Sequence, residues 1–499
     1  MGASTARQGA GVLPLLGRAA TLAQKAFAEL ERWLSRRAAA MGDMPRIERE
    51  TEQRGREMLR LLLQAHLDER GRGDVGRVLR VRSPEGPTVR YLHKRLHPRR
   101  LVTLFGTVVL TRMAYRHPGR PSIHPLDAEL QLPARLYSYE VQRRLVKAAV
   151  QGPFDEALER LADATGVHVP KRSAEQVVSE ASADFDAFYA ARSCGDRDAS
   201  GSILVAAIDS KGIPLVKPEG ASRVARRRKG EKSQKKRMST VAAVFTQLPD
   251  KRTPEEVVGR LFRDPDCLSL PRRQRRAQAK RIWASLLTAK PAFIADVRAE
   301  MIRRDPGPKR AKTWVIVTDG ERGLQHCVCD AFPDVTLILD LLHVLEKLWA
   351  AAHALHAEGS PEAQAFVRDR ALRILRGNVS QVVKGLRQMI TKRRLPKATR
   401  EPLRRAAGYF YRNRSRMHYD VYLARGWPIA SGAVEGACKN LIKDRMERSG
   451  MRWTPPMAEA ILRLRATYLS GDFDEYWEFH VRREQERLYP SQLWRMVAK

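Results

Sequence analysis

The chain has 499 residues, 43% of them hydrophobic, which is too long for one ordinary core and apolar enough for three or four units. Its 92 lysines and arginines against 56 acidic residues give a net charge of +36, which points to a polyanionic partner, nucleic acid first, and says nothing of fold. No stretch reaches the roughly 18 apolar residues of a membrane-spanning helix. Cys194, Cys267, Cys327, Cys329 and Cys438 are too few and too scattered for a disulfide framework. The first residues form no convincing secretory signal, because Arg7, Arg18 and Lys25 interrupt their apolar runs. The expectation is a reduced, intracellular protein.

Residues 1–74 have a helical pattern, with Leu22, Ala26, Leu30 and Leu34 on one face and Met58, Leu61, Leu62 and Ala65 on another. From 75 to 125, VLRVRS, TVRYLHKRL and LVTLFGTVVLTRMAYR alternate around Gly-Pro turns, which predicts a small antiparallel β region whose polar positions are mostly basic. PLDAELQLP is an irregular connection. The rest of 126–200 reads as helices, including a helix, a turn at Gly166 and a second helix with Ser173 as its N-cap. That arrangement is helix-turn-helix-like and a candidate DNA-binding region.

A new domain begins at Ser202. ILVAAID is a buried-strand run ending at Asp209, and SKGIP turns the chain. From Arg223 to Arg237 nine basic residues stand against Glu231 alone, and Lys235, Lys236 and Arg237 lead into the next strand, MSTVAAVFTQ. A basic loop between two strands is well placed to meet a phosphate backbone. Thr253–Phe262 and Arg272–Ala299 look helical. TWVIVTDGERGL is a strand with Asp319 at its C-terminal end, and VTLILDLLHVLEKLW is a strand running into a helix that carries Asp340 and His343. Residues 345–425 are helical and basic. Then PIASGAVEGACKNLIKDRMERSGMRW, from Pro428 to Trp453, opens as a loop and becomes a helix with Glu435 at its start, followed by Lys439, Lys443, Arg445, Arg448 and Arg452.

Asp209 and Asp319 after apolar strands, with Glu435 at a helix start, make three hard oxygen ligands suited to Mg²⁺ or Mn²⁺ rather than zinc. Two such ions about 4 Å apart activate a nucleophilic oxygen and stabilise the leaving oxygen of a phosphodiester. Aspartates follow strands in many large proteins, so this pattern by itself leaves the assignment open. The charges around Glu435 also read as an ordinary helix-start carboxylate on a solvated basic face, and Trp453 reads either as a base-stacking residue or, preferably, as core.

The runs AAIDSKGIPLVKP, GEKSQKKRM, IVTDGERGL, LDLLHVLEKLW and the Pro428–Trp453 stretch resemble the DDE transposases of bacterial insertion sequences, closest to the ISKra group and more distantly the Mutator-type enzymes. PLDAELQLP and ADFDAFYAAR extend the likeness upstream, so it covers most of the chain. The resemblance implies an α/β catalytic domain of RNase H-like fold, a mixed sheet flanked by helices, at 201–344 and 426–475. It also implies an α-helical insertion at 345–425, a helical tail at 476–499, and the helical and β-rich DNA-binding regions before it.

The family's acidic triad falls on Asp209, Asp319 and Glu435 as catalytic, metal-holding residues, with two ions of Mg²⁺ or Mn²⁺. Asp340 and His343 match its [C/D]xxH element as supports of the site. Lys235, Lys236, Arg237, Lys439, Lys443, Arg445, Arg448 and Arg452 would bind DNA. Ser210 stands where the family has glycine. The implied activity is cleavage of double-stranded DNA at the element's terminal repeats and transfer of the freed 3′ ends into target DNA. A homodimer or larger assembly on DNA would do this in the bacterial cytoplasm, associated with the nucleoid. The rival readings are a silent transposase-derived DNA-binding protein and a different RNase H-like nuclease.

Overall fold

The computed structural model describes residues 18–36, 42–82, 87–192, 201–216, 236–268, 277–307 and 310–490. Lys235, the basic run from Arg223 and the arginines at 272–276 lie outside the described residues. The chain forms two compact units, one up to Asp184 together with the residues from Glu475, the other Phe185–Asp474. No helix among the described residues is long and apolar enough to cross a membrane.

In the first unit the helices Arg18–Leu34 and Met44–Glu69 meet through Ala19, Ala20 and Ala65. The strand pair β1 (Leu79–Arg82) and β2 (Thr88–Tyr91) is antiparallel. So is the sheet of β3 (His93–Thr103), β4 (Gly106–His117) and β5 (Arg120–Ile123). Alternation places Val108, Leu110 and Leu101 against Leu126 and Leu132. Leu126 lies in a short helix, Pro125–Glu129, where the sequence reading had an irregular connection. Pro125 supplies the φ suited to a first helical position.

The helix Phe154–Thr165 ends at Gly166, whose φ of 68° is the left-handed cap conformation that glycine adopts without strain. The next helix, Lys171–Ala181, is capped by Pro170 rather than Ser173, which lies inside its first turn. Asp184 then accepts hydrogen bonds from His480 Nδ1 at 2.7 Å and from both Arg487 Nη atoms at 2.7 and 3.0 Å. These bonds tie the C-terminal segment of the unit to the end of its helical region.

The second unit is built on a five-stranded mixed sheet: β6 (Ile203–Pro214), β7 (Lys236–Gln247), β8 (Gln278–Ser285), β9 (Thr313–Thr318) and β10 (Thr336–Leu339). The order is β10-β9-β6-β7-β8. β6, β7 and β8 run antiparallel in a meander, while β9 pairs parallel with β6 and β10 parallel with β9. Ile203 to Ile208 are all buried, the continuous apolar run expected of a central strand covered on both faces.

Two expectations change here. The sequence pattern predicts helical structure over Arg272–Ala299. The described part of it contains strand β8, a turn and the helix Lys290–Arg304. Ile282, Trp283 and Ala284 are buried against β7, a pairing that a short apolar run flanked by cations does not reveal. Arg281 is drawn into that interior, bonded to the buried Glu300, and burial lowers its pKa to about 10. Second, Asp209 does not end its strand. β6 continues to Pro214 because β7 pairs with it throughout, Ser210 to Thr240 and Pro214 to Lys236.

Between β10 and the Pro428–Trp453 stretch lie the helices Leu341–His353, Pro361–Leu375, Val379–Lys392, Lys397–Asn413 and Tyr419–Ala424. After that stretch, the helix Pro455–Ser470 packs along β8, where buried Glu459 accepts from Ser285 Oγ and Leu286 N at 2.8 Å each.

Candidate active site

The site follows from strand register. On the parallel strands, Ile208 is level with Thr318 and Thr318 with Leu339. The next residues along the three strands are Asp209, Asp319 and Asp340, so three aspartates far apart in sequence come level at one end of the sheet. This is the carboxyl end of β9 and β10, where backbone ends and loops leave room for a ligand. Asp209 reaches it from the middle of β6 because β9, its parallel neighbour, stops one residue earlier.

Asp209, Asp319 and His343 each offer a ligand atom within 4.8 Å of the others. Asp209 accepts from the backbone N–H of Ser210 at 2.6 Å through Oδ1, and its Oδ2 lies 3.4 Å from the Cys438 thiol, which donates to it. Burial and the charge of Asp209 push the Cys438 thiol far above its ordinary pKa, so it stays protonated. Nothing in the sequence marked Cys438 as a neighbour of the site. Asp319 Oδ1 accepts from Glu321 N at 3.1 Å. Burial raises the Asp319 pKa, and the Asp209 charge adds to the rise. Two carboxylates this close, one of them largely buried, favour a positive charge beside them.

Asp340 has a different task. It is wholly buried, and its two oxygens already accept four hydrogen bonds. Oδ1 takes the N–H groups of Leu342 at 3.0 Å and Ser431 at 3.2 Å, and Oδ2 takes His343 Nδ1 at 3.1 Å and the Ser431 hydroxyl. It therefore caps the helix Leu341–His353, fixes the imidazole, and joins the start of the helical segment to its return, which Leu341 N bonding to Ile429 O at 2.9 Å reinforces. Such saturation leaves no free lone pair for an ion. The Asp340 hydrogen bond lifts the His343 pKa to about 9 despite burial, so without a cation the imidazole is charged at neutral pH. With Nδ1 held, Nε2 is the nitrogen left for the site.

Glu435 lies on the helix Gly432–Ala437, one turn past Ser431. It is not among the atoms within 4.8 Å. Its pKa is raised by partial desolvation and then by the charge of Asp340, with Asp209 also contributing, so it faces the same electrostatic neighbourhood. The helix expected to continue from it changes pitch: Cys438–Lys443 is a π-helix, followed by a short helix, Asp444–Met446, and a 3₁₀ turn. π-turns inside helices are frequent at functional sites.

Of the cations expected on DNA, Lys236, Arg237, Lys439, Lys443, Arg448 and Arg452 are exposed. Lys236 bonds Glu447 at 2.8 Å. Arg445 is not on that surface: its side chain is fully buried, 4.7 Å from the Trp453 ring. Trp453 is core as well, donating from Nε1 to Met446 O at 3.0 Å. A basic residue in a basic run reads as surface unless its neighbours' packing is known.

The donors fit a divalent cation. Two carboxylates and an imidazole suit Mn²⁺, and the carboxylates with water suit Mg²⁺. The mutual proximity of Asp209 and Asp319 is the feature such an ion would relieve.

No family model matches the chain, and no curated protein matches it. Among solved structures it is similar to the Drosophila P element transposase strand transfer complex, at 11% identity over 71% of this chain and 90% of that chain, with a TM-score of 0.24. A likeness at that score carries no argument about fold or activity.

Proposed function

We propose that this chain is a DDE-type DNA transposase of the insertion-sequence ISKra kind, whose RNase H-like domain cleaves DNA at its element's ends and joins the freed 3′ ends to target DNA. The observation that carries the reading is the register that sets Asp209 and Asp319 side by side on adjacent parallel strands with His343 beside them. A meander of three antiparallel strands followed by two parallel ones supports the RNase H-like assignment, and the long helical segment before Glu435 supports the inserted-domain arrangement.

Asp209 and Asp319 would hold Mg²⁺ or Mn²⁺, in the family two ions, and Glu435 would complete the set. When bound, the metal supplies charge stabilisation to the phosphodiester oxygens and a lowered pKa to the attacking oxygen. Asp340 keeps His343 oriented, and Cys438 steadies one oxygen of Asp209. The exposed cations Lys236, Arg237, Lys439, Lys443, Arg448 and Arg452 would hold phosphates rather than read bases, and joining two ends calls for at least two copies of the chain on double-stranded DNA.

The test uses the full chain with a labelled duplex carrying its own element's end. We expect a nick at that end in Mg²⁺ and in Mn²⁺, and none after chelation. Binding without a nick in either metal would overturn catalysis and leave the silent DNA-binding reading; nicking that survives chelation would overturn the metal site.

A further inference from the structure

We infer that the groove between the helices Val379–Lys392 and Lys397–Asn413 is a separate binding surface for the phosphate backbone of duplex DNA. The inference rests on DNA being the partner in the reading above, but on none of its catalytic residues, because neither the carboxylates nor His343 lines this groove.

The helix Val379–Lys392 buries Val379, Val382, Val383 and Leu386. Val379 and Val383 form the apolar base of the groove, and Lys384, Arg387, Gln388 and Thr391, positions three and four apart, line it on the exposed side. Tyr411 and Arg414 close the groove from the end of the neighbouring helix, around a space of about 310 Å³. Lys384, Arg387 and Arg414 are all exposed.

Several basic side chains of the helical segment are paired with carboxylates: Arg373 with Asp369, Arg404 and Arg405 with Glu401, Arg368 with Asp264, Arg376 with Glu255. Among the described residues no carboxylate pairs with Lys384, Arg387 or Arg414.

The arginines are also held in place. Tyr411 is 46% exposed, and its ring carries the guanidiniums of Arg387 at 4.8 Å and Arg414 at 4.3 Å. Arg414 additionally donates to the Tyr411 carbonyl at 2.7 Å. A guanidinium lying on an aromatic ring keeps its edge free for phosphate oxygens and loses less rotamer freedom on binding. Because cations already occupy the ring, base stacking is not what the groove offers. Cations along the rim of the groove, with the amide of Gln388 and the hydroxyl of Thr391 beside them and Val379 and Val383 beneath, match phosphate contacts, which position a duplex without reading its sequence. The overall charge of +36 favours a polyanion as long as DNA over a single acidic peptide.

Fluorescence anisotropy with a duplex of random sequence tests this on the full chain carrying Asp319→Asn, so that cleavage plays no part. Each phosphate contact contributes about 0.9 to the slope of log K against log salt. The triple variant Lys384→Ala, Arg387→Ala, Arg414→Ala should lower that slope by about two to three, with melting unchanged. Lys384→Ala alone, which disturbs no contact with Tyr411, should lower it by about one. An unchanged slope in Lys384→Ala and in a folded triple variant would overturn the inference. So would unchanged DNA binding with weakened binding of polyglutamate, which would make the groove a site for acidic protein. If the chain with Asp319 intact never nicks its own element's end, yet the groove variants lose this slope, the groove stands and the catalytic reading alone is refuted.

Discussion

Asp319→Asn abolishes strand cleavage, by about 10³-fold or more, while duplex binding persists. The size follows from the several kcal/mol that a metal site contributes to phosphodiester chemistry, at about 1.4 kcal/mol per decade of rate. The amide keeps the shape of the carboxylate and can still accept from Glu321 N through its oxygen, so the turn survives. Stability should hold or rise. Burial and the neighbouring Asp209 charge raise the Asp319 pKa, so above its unfolded pKa the ionised group disfavours the folded state, and that penalty is relieved as pH falls through the folded value. Removing the charge relieves it at every pH. Single-turnover nicking, anisotropy and a thermal melt on the same preparation check all three; cleavage at the wild-type rate in the variant would show that Asp319 does not serve the reaction.

Gly320→Ala is the most damaging small change we expect near the site. A Cβ at this position would stand 2.1 Å from the Tyr409 ring, and Tyr409 is buried in the helix Lys397–Asn413. Glycine is required here for space, since an aromatic ring lies on the backbone just after Asp319. Overpacking of this kind costs about 1–3 kcal/mol, and displacing the adjacent carboxylate by about 1 Å costs a further factor of about 10² in cleavage. Thermal melting and nicking rates of Gly320→Ala report the two losses. Tyr409→Ala in the same chain reopens the space, so the double variant should be less impaired than the sum of the single ones. Strict additivity would show that the ring does not contact that turn.

Much of the carboxylate cluster was visible in the sequence because its parts are local. VAAID and VIVTD are apolar runs ending in an aspartate, and LDLLH places Asp340 and His343 one helical turn apart. What the sequence hides is pairing. Asp209 lies mid-strand because β7 extends β6 beyond it, which no pattern within β6 discloses. β8 was missed because its basic first half reads as a surface helix, although Trp283 and Ala284 are sheet core. The division of labour between Asp340 and Asp319 was equally hidden, since it depends on Ser431, far along the chain, saturating one carboxylate. Arg445 shows the same limit: only the arrangement of Met451 and Trp453 around it reveals that this arginine, alone in its run, is interior.

The most direct measurement is a calorimetric Mn²⁺ titration of the full chain beside its Asp209→Asn, Asp319→Asn double variant, without DNA. Wild type should bind Mn²⁺ saturably, and the double variant should lose at least about 100-fold in affinity with its melting temperature intact. Equal Mn²⁺ affinity in the two proteins would contradict a metal centre at Asp209 and Asp319.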